Sequence, residues 1–167
     1  MKKILIIACI LAISLVLFKD DYSLTKDAIR FRVIANSNSA KDILMKEKVV
    51  KSLSNILFKD SKNKIETKNN IVDNISNIEN NIDYLFKEND YNVNYNINYG
   101  LNFFPEKEYN GIKFKEGNYE SLVIEIGEAK GNNYWCILYP PLCMIDDNKN
   151  EEIKYKFKVI ELIKKLF

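Results

Sequence analysis

The chain has 167 residues, and its 25 lysines and arginines nearly balance its 23 aspartates and glutamates, which leaves a formal net charge of +2. This charge is too small to require a polyanionic partner, so we expect no nucleic acid binding. The sequence contains no histidine. Its absence excludes Ser-His-Asp and Cys-His catalysis, histidine zinc sites and histidine pH switches.

The N-terminus has the layout of an export signal. Met1, Lys2 and Lys3 form a basic start, residues 4–18 are apolar or small, and Lys19 ends the run. As a helix this run is about 22 Å long, shorter than the roughly 30 Å hydrocarbon core of a bilayer, and no good cleavage site follows it. The pattern predicts a signal peptide or uncleaved membrane anchor over residues 1–21, which contacts the membrane if uncleaved. Residues 22–167 are then one exported domain.

Hydrophobic periodicity predicts one strand and two helices in the first half of the domain. Residues 28–35 alternate, with Arg30 and Arg32 on the face opposite the apolar side chains. A capping pattern at Ser39 predicts a helix that runs to about Lys59. After a polar break at 60–64, a second helix is expected over 68–88. Its apolar stripe consists of Ile71, Ile75, Ile78, Ile82 and Leu85.

The second half changes to the two-residue period of β-strands. Residues 91–103 predict a half-buried strand bent at Gly100, and 119–126 and 134–139 predict two more. Residues 110–111, 116–118 and 127–131 are expected as turns, the last as a hairpin turn. The tail alternates over 153–159 and ends in a helix-like segment. The predicted fold class is α+β: a strand, two helices, then a mostly antiparallel sheet.

Two cysteines, Cys136 and Cys143, flank an apolar segment and a Pro-Pro turn. A metal site would need two more soft ligands, and a nucleophile would need a base that a chain without histidine does not supply in the usual form. In an exported domain two nearby thiols favour a disulfide, which contributes about 2–3 kcal/mol by loop closure. Cys9 is interpreted as an apolar residue of the signal.

Other motifs give no cofactor or metal. Residues 146–152 are acidic but lack the glycine of a calcium loop, and residues 127–131 lack the spacing of a phosphate loop. Arg30 and Arg32 are the only arginines, which suggests two-pronged pairing that lysine does not provide. An internal carboxylate and a partner protein are equally good candidates for that pairing. Trp135 lies in an aromatic, proline-rich segment that suits either a core or a binding anchor.

Two segments carry a family resemblance: IRFRVIANSNSAKD at 29–42 and EYNGIKFKEGNYESLVIEIGEAKGNNYWCILYPPLC at 108–143. With the export signal, they resemble stage II sporulation protein R. The resemblance implies a protein exported from the forespore into the space between the forespore and mother-cell membranes. It further implies activation of a membrane-embedded aspartic protease that processes the precursor of the mother-cell sigma factor, sigma-E. The chain is then a signal, not an enzyme.

Two rivals to this signalling role remain: a hydrolase that uses carboxylates such as Glu125 and Glu128, and a surface domain with no signalling role. Under the signalling hypothesis, the segment 131–143 and the two arginines of the first strand contact the extracytoplasmic face of the protease. The residues expected to bind this partner are Arg30, Arg32, Tyr134, Trp135, Tyr139, Pro140 and Pro141. Because alternate residues of a strand point inward, Tyr134 or Trp135 is expected to belong to the core.

Overall fold

The computed structural model describes residues 27–58, 61–109 and 112–142. The predicted signal or anchor at 1–21, Cys143, the acidic segment 146–152 and the tail lie outside these residues. The described elements are β1 (Ile29–Ile34), α1 (Ala40–Leu57), α2 (Lys64–Asp73), α3 (Ile75–Glu88), β2 (Tyr95–Phe104), β3 (Lys107–Tyr109), β4 (Ile112–Phe114), β5 (Gly117–Ile126) and β6 (Asn133–Tyr139). None of the helices in the described part of the chain is long and apolar enough to cross a membrane.

Four strands form the main sheet in the order β2-β5-β1-β6, and β3 pairs with β4 in a separate antiparallel hairpin. Strand β1 runs parallel to β5 and antiparallel to β6, and β2 runs antiparallel to β5. The predicted α+β class and the mostly antiparallel sheet are confirmed. The first strand of the chain occupies an interior position, with hydrogen-bonded neighbours on both sides.

The helices pack on one face of the sheet. The side chains of β1 that point to this face are Ile29, Phe31 and Val33, and all three are fully buried. They meet apolar residues of α1, including Val49 and Leu53, and of α2 and α3, including Ile71, Ile78 and Ile82. The stripe predicted from the sequence therefore does face the sheet, as an amphipathic helix requires.

Helix α1 begins as predicted. The Oγ atom of Ser39 accepts a hydrogen bond from the backbone N–H of Asp42 at 3.2 Å, which satisfies one of the unpaired amides of the first turn. The helix ends at Leu57, within two residues of the expected end.

The single helix expected over 68–88 is wrong, because two helices cover this region. Helix α2 already begins at Lys64, where Asn63 Oδ1 accepts from the N–H of Glu66 at 2.9 Å. The chain breaks at Asn74, whose Nδ2 donates to the carbonyl of Asn70 at 2.8 Å. An asparagine that bonds to nearby backbone competes with helix formation, but it does not interrupt the apolar stripe from which the helix was predicted.

Strand β2 is shorter at its start and less buried at its end than the sequence suggested. It begins at Tyr95, not Tyr91, and it pairs with β5 through Gly100 without a register shift. Its first half packs under α3, but Leu101 and Phe103 are 77% and 59% exposed because the helical layer does not cover them. Phe104 points to the opposite face and is fully buried there.

Residues 127–131 do not form the predicted hairpin turn. Strands β5 and β6 are not paired; β1 lies between them, and the connection crosses the end of β1. Its backbone is held there by two hydrogen bonds, from Gly131 N to Ala35 O at 2.9 Å and from Lys130 N to Asn36 O at 3.1 Å. A side chain at Gly131 would collide with the backbone of Ser37, so this close approach requires glycine.

The same end of β1 holds a buried carboxylate. Asp42 is 7% exposed and accepts hydrogen bonds from Ser37 Oγ at 2.5 Å, Tyr91 OH at 2.6 Å and Asn36 Nδ2 at 2.9 Å. The hydrogen bond from Ser37, followed by that from Tyr91, lowers the pKa of Asp42 from 3.8 to about 2. This carboxylate joins the turn after β1, the start of α1 and the segment before β2.

We expect Asp42→Asn to lower the free energy of unfolding by about 1–3 kcal/mol at neutral pH, because buried donors lose a charged acceptor. The folded pKa lies below the ordinary one, so the contribution of the carboxylate is complete above about pH 4 and is lost as the pH falls towards 2. Urea unfolding at several pH values measures the difference between the two proteins. That difference should shrink as the pH falls through this window. Asp73→Asn, at an exposed position on α2, is the matched control, and an equal loss in both variants would contradict this role of Asp42.

Candidate functional site

The face of the sheet opposite the helices carries both arginines. Arg30 and Arg32 alternate with the apolar residues of β1 and point away from the helices, as the sequence predicted. Trp135 lies directly across from Arg32 on β6, and Phe104 reaches the same face from β2. We call the surface formed by Arg30, Arg32, Phe104 and Trp135 the arginine face.

Arg30 is fully buried, although it carries a positive charge. Its guanidinium carbon lies 4.4 Å from the ring centre of Phe104 and 4.8 Å from that of Tyr119, with the rings of Tyr109 and Phe114 within 6 Å. Of its five N–H donors, one on Nη2 donates a hydrogen bond to Tyr109 OH at 3.3 Å. Its Nε and Nη1 atoms are buried without a hydrogen-bond partner among the described residues. Ring faces therefore take the place of a carboxylate around this side chain.

Arg32 is half-buried and shares the ring of Phe104 with Arg30. Its guanidinium carbon lies 5.2 Å from the ring centre of Phe104 and 5.3 Å from that of Trp135. Burial lowers the pKa of Arg32, Glu125 opposes this effect, and Arg30 adds to it. Its Nε is also buried without a hydrogen-bond partner in the described ranges. No ion pair joins Arg32 to Glu125 or to any other described carboxylate, so the internal pairing considered from the sequence is not observed.

The β3–β4 hairpin covers one end of the arginine face and was missed from the sequence. Tyr109 and Phe114 pack edge to face with ring centres 5.6 Å apart, and both rings lie near Arg30. Lys107, at the start of β3, places its ammonium 5.4 Å from the ring centre of Trp135. The signal was present in the sequence: short apolar-polar alternation on both sides of an Asn-Gly pair at 110–111 is typical of a hairpin.

The residues predicted to form one binding surface lie on two faces. Residues 133–139 form strand β6, as predicted for 134–139, and its side chains lie on both faces of the sheet. Trp135 shares the arginine face, whereas Tyr134 and Tyr139 pack against the helical core. Pro140, which follows a cis peptide bond, is buried, and Pro141 is half-buried. Arg30 is enclosed and does not reach a partner directly. Of the predicted residues on this face, Arg32 and Trp135 remain accessible.

Trp135 belongs partly to the core and partly to the surface. Its ring packs edge to face on Phe104 with ring centres 5.4 Å apart, within a second apolar cluster that includes Val123 and Ile137. It is nevertheless only half-buried. Tyr134 is half-buried on the opposite face, where its ring meets Phe31 at 6.1 Å. Each ring therefore uses one side for packing and leaves the rest accessible.

The two carboxylates considered for a hydrolase have separate partners. Glu125 Oε2 accepts from Asn96 Nδ2 at 3.3 Å, and Glu128, exposed in the β5–β6 connection, pairs with Lys130 at 2.7 Å. The hydrogen bond from Lys130 lowers the pKa of Glu128, whereas a general acid needs a raised one. Within the described ranges, no cluster of three or more histidine, cysteine or acidic side chains is placed to hold a metal ion.

Cys136 lies in the core beneath the helices and is fully buried. Its predicted partner Cys143 lies outside the described residues, so the pairing stays a prediction. Leu142, the last described residue, packs against the cluster of the arginine face.

We expect Trp135→Ala to lower the free energy of unfolding by about 1–3 kcal/mol, less than the roughly 3–5 kcal/mol lost when a fully buried tryptophan is truncated. The reason is that part of the indole is solvated in the folded protein. Chemical unfolding followed by circular dichroism measures the change, with Ile137→Ala, at a fully buried neighbour, as the control for a core truncation. A variant that fails to fold would place the whole indole in the core.

Comparison with known proteins identifies the family. The model of the family described as stage II sporulation protein R matches residues 25–149. Stage II sporulation protein R of Bacillus subtilis (strain 168) is 28% identical over 130 residues, which are 76% of this chain and 58% of the relative. The chain thus matches little more than half the length of that relative. No solved structure matches the chain. Because the family model covers most of the chain, including β1, the arginine face and β6, this protein belongs to the stage II sporulation protein R family.

Proposed function

We propose that this protein is an exported sporulation signal that activates a membrane-embedded aspartic protease and thereby causes processing of the sigma-E precursor. The observation that carries the proposal is the family match over residues 25–149. The sporulation role follows from that membership, and the partner and the signalling step are the finer part of the proposal. Export is supported by the basic and apolar start of the chain.

Action through a binding surface fits the residues of the described domain. Arg32 and Trp135 combine a guanidinium with a partly exposed indole, and both residue types are enriched where binding energy concentrates. The strands that carry them pair with each other, so a partner would meet a preformed surface and little conformational entropy would be lost. In this proposal the partner docks on the arginine face, and Tyr134 and Tyr139 support β6 from the core side.

The proposal is tested by deleting the gene and following the sigma-E precursor on an immunoblot during sporulation. We expect the precursor to remain unprocessed in the deletion strain and to be processed again when the wild-type chain is supplied. Glu128→Gln and Glu125→Gln should restore processing as well, because neither carboxylate is needed for binding in this proposal. Normal processing without the chain would refute the signalling role. Loss of processing with either variant, when that variant is folded and exported, would favour the hydrolase.

Cys136 and Cys143 form a disulfide in this proposal, in keeping with an exported domain. Its support is the close spacing of the two cysteines around the Pro-Pro pair. The bond would tie the chain after Pro141 to Cys136 of β6, on the helical side of the sheet.

Alkylation with iodoacetamide under denaturing, non-reducing conditions, followed by mass spectrometry, tests the disulfide. We expect no adduct on either cysteine of the exported protein and adducts on both after reduction. Adducts on both cysteines without reductant would contradict the bridge. The same protein retained in the cytoplasm by removal of residues 1–21 is the control, and it should be reduced in that compartment.

A further inference from the structure

The arginine face carries more positive charge than the neighbouring side chains neutralise. Three cations, Arg30, Arg32 and Lys107, lie within 6 Å of the rings of Phe104 or Trp135. Glu125 is the carboxylate whose charge acts on Arg32, and no ion pair joins the two. Elsewhere in the described domain, lysines such as Lys64, Lys113 and Lys130 have glutamate partners within about 3 Å. None of the three cations at this face forms an ion pair with a carboxylate among the described residues.

Unused hydrogen-bond donors accompany this charge. The buried Nε and Nη1 atoms of Arg30 and the buried Nε of Arg32 have no partner in the described part of the chain. Leaving buried donors unpaired costs free energy, and leaving them beside a buried charge costs more. Buried donors without a partner call for an explanation, and a bound ion is one of those found in proteins.

The geometry allows one small anionic group to approach. Arg30 is enclosed and holds its charge behind the sheet surface, while Arg32 and Trp135 are half-buried and open to solvent on one side. The Arg32 and Lys107 cations lie at nearly equal distances, 5.3 and 5.4 Å, from the ring centre of Trp135. A planar guanidinium and an ammonium therefore both lie next to the indole.

We propose that the arginine face binds a carboxylate side chain of a partner protein, held by Arg32 and Lys107 over Trp135, with Arg30 supplying charge from behind. This inference rests on the proposed function and names the chemistry of the partner at that surface: an exposed aspartate or glutamate flanked by an apolar residue that covers the indole.

The surroundings favour a protein carboxylate over a polyanion. Proteins follow a phosphate backbone with an extended basic track, whereas Lys64, Lys68, Lys113 and Lys130 of this domain are paired with glutamates and the whole chain carries only +2. A guanidinium binds a carboxylate through two parallel hydrogen bonds, and the exposed part of Trp135 offers apolar area next to it. A guanidinium beside an exposed aromatic ring therefore fits an acidic side chain that has an apolar neighbour, as a protein surface can provide.

Trp135 makes the proposal directly measurable because it is the only tryptophan of the chain. The full chain, purified in a neutral detergent, is titrated with the peptide acetyl-Leu-Asp-Glu-Leu-amide while tryptophan emission is recorded. We expect a saturable change that acetyl-Leu-Asn-Gln-Leu-amide does not produce at the same concentrations. No saturable change with the acidic peptide, or equal changes with both peptides, would overturn the proposal. Tighter binding of inorganic phosphate than of the acidic peptide would also overturn it.

Matched variants assign the binding to the named side chains. Arg32→Gln and Lys107→Gln should each weaken binding of the acidic peptide about tenfold or more, because each removes a charge-assisted hydrogen bond. Arg32→Lys should restore only part of the affinity, because lysine lacks the two-pronged geometry. Lys113→Gln, on the neighbouring strand β4 and paired with Glu106, is the control and should bind as the wild type does. Equal weakening in all these variants would indicate general charge screening and refute the site.

The peptide titration and the sporulation assay distinguish failure of the carboxylate site from failure of the proposed signalling role. If the acidic peptide binds but Arg32→Gln and Lys107→Gln still restore sigma-E processing, the carboxylate site is real and its role in the proposed signalling is wrong. If deletion of the gene blocks processing while the peptide does not bind, the signalling role stands and the carboxylate site is refuted. Should Arg32→Gln fail to fold, Lys107→Gln at the half-buried start of β3 still decides the outcome.

Discussion

The interior position of β1 determines the arrangement of the whole domain. Both edges of this strand are hydrogen-bonded, to β5 on one side and to β6 on the other, so its side chains have no freedom to turn away from the sheet. One set of alternate residues must then enter the helical core. The other set, with both arginines of the chain, must lie on the opposite face. The aromatic rings from β2, β5, β6 and the β3–β4 hairpin are the means by which that face tolerates buried cations.

The sequence predicted an element well where its signal lies within a few neighbouring residues. The alternation of β1, the cap of α1 at Ser39 and the stripe of isoleucines on α2 and α3 are each encoded within a few neighbouring residues, and the structure contains all of them. The break at Asn74 was not predicted because the apolar stripe of the helices continues across it. The position of β1 between β5 and β6 was not predicted either. It depends on hydrogen bonds such as that from Glu128 N to Asn36 Oδ1, between residues 92 positions apart.

The candidate site was predicted in its parts but not in its arrangement. Arg32 and Trp135 were expected together, and the register of β1 with β6 places them opposite each other. Tyr134 and Tyr139 were expected beside them, yet both pack on the helical side. Strand alternation places Tyr134 there, and a register shift between Ile29 and Arg30 places Tyr139 opposite Ile29 on that side. Phe104 and Lys107 were not foreseen, because no sequence pattern reveals which distant strand end or hairpin covers a given face. Their contribution comes from tertiary packing around a charge.

The crossing of the β5–β6 connection over the end of β1 has a consequence for the order in which the chain acquires structure. A ribosome delivers β1 first, but its two pairing partners follow only after the three helices and strands β2, β3 and β4 have emerged. During that interval β1 has no strand beside it, and the paired state waits for contacts across most of the domain. Pairing at such separation is slow compared with helix formation. An early strand that carries Phe31 and Val33 therefore needs the helices, which form from local contacts, to cover its apolar side until the sheet closes around it.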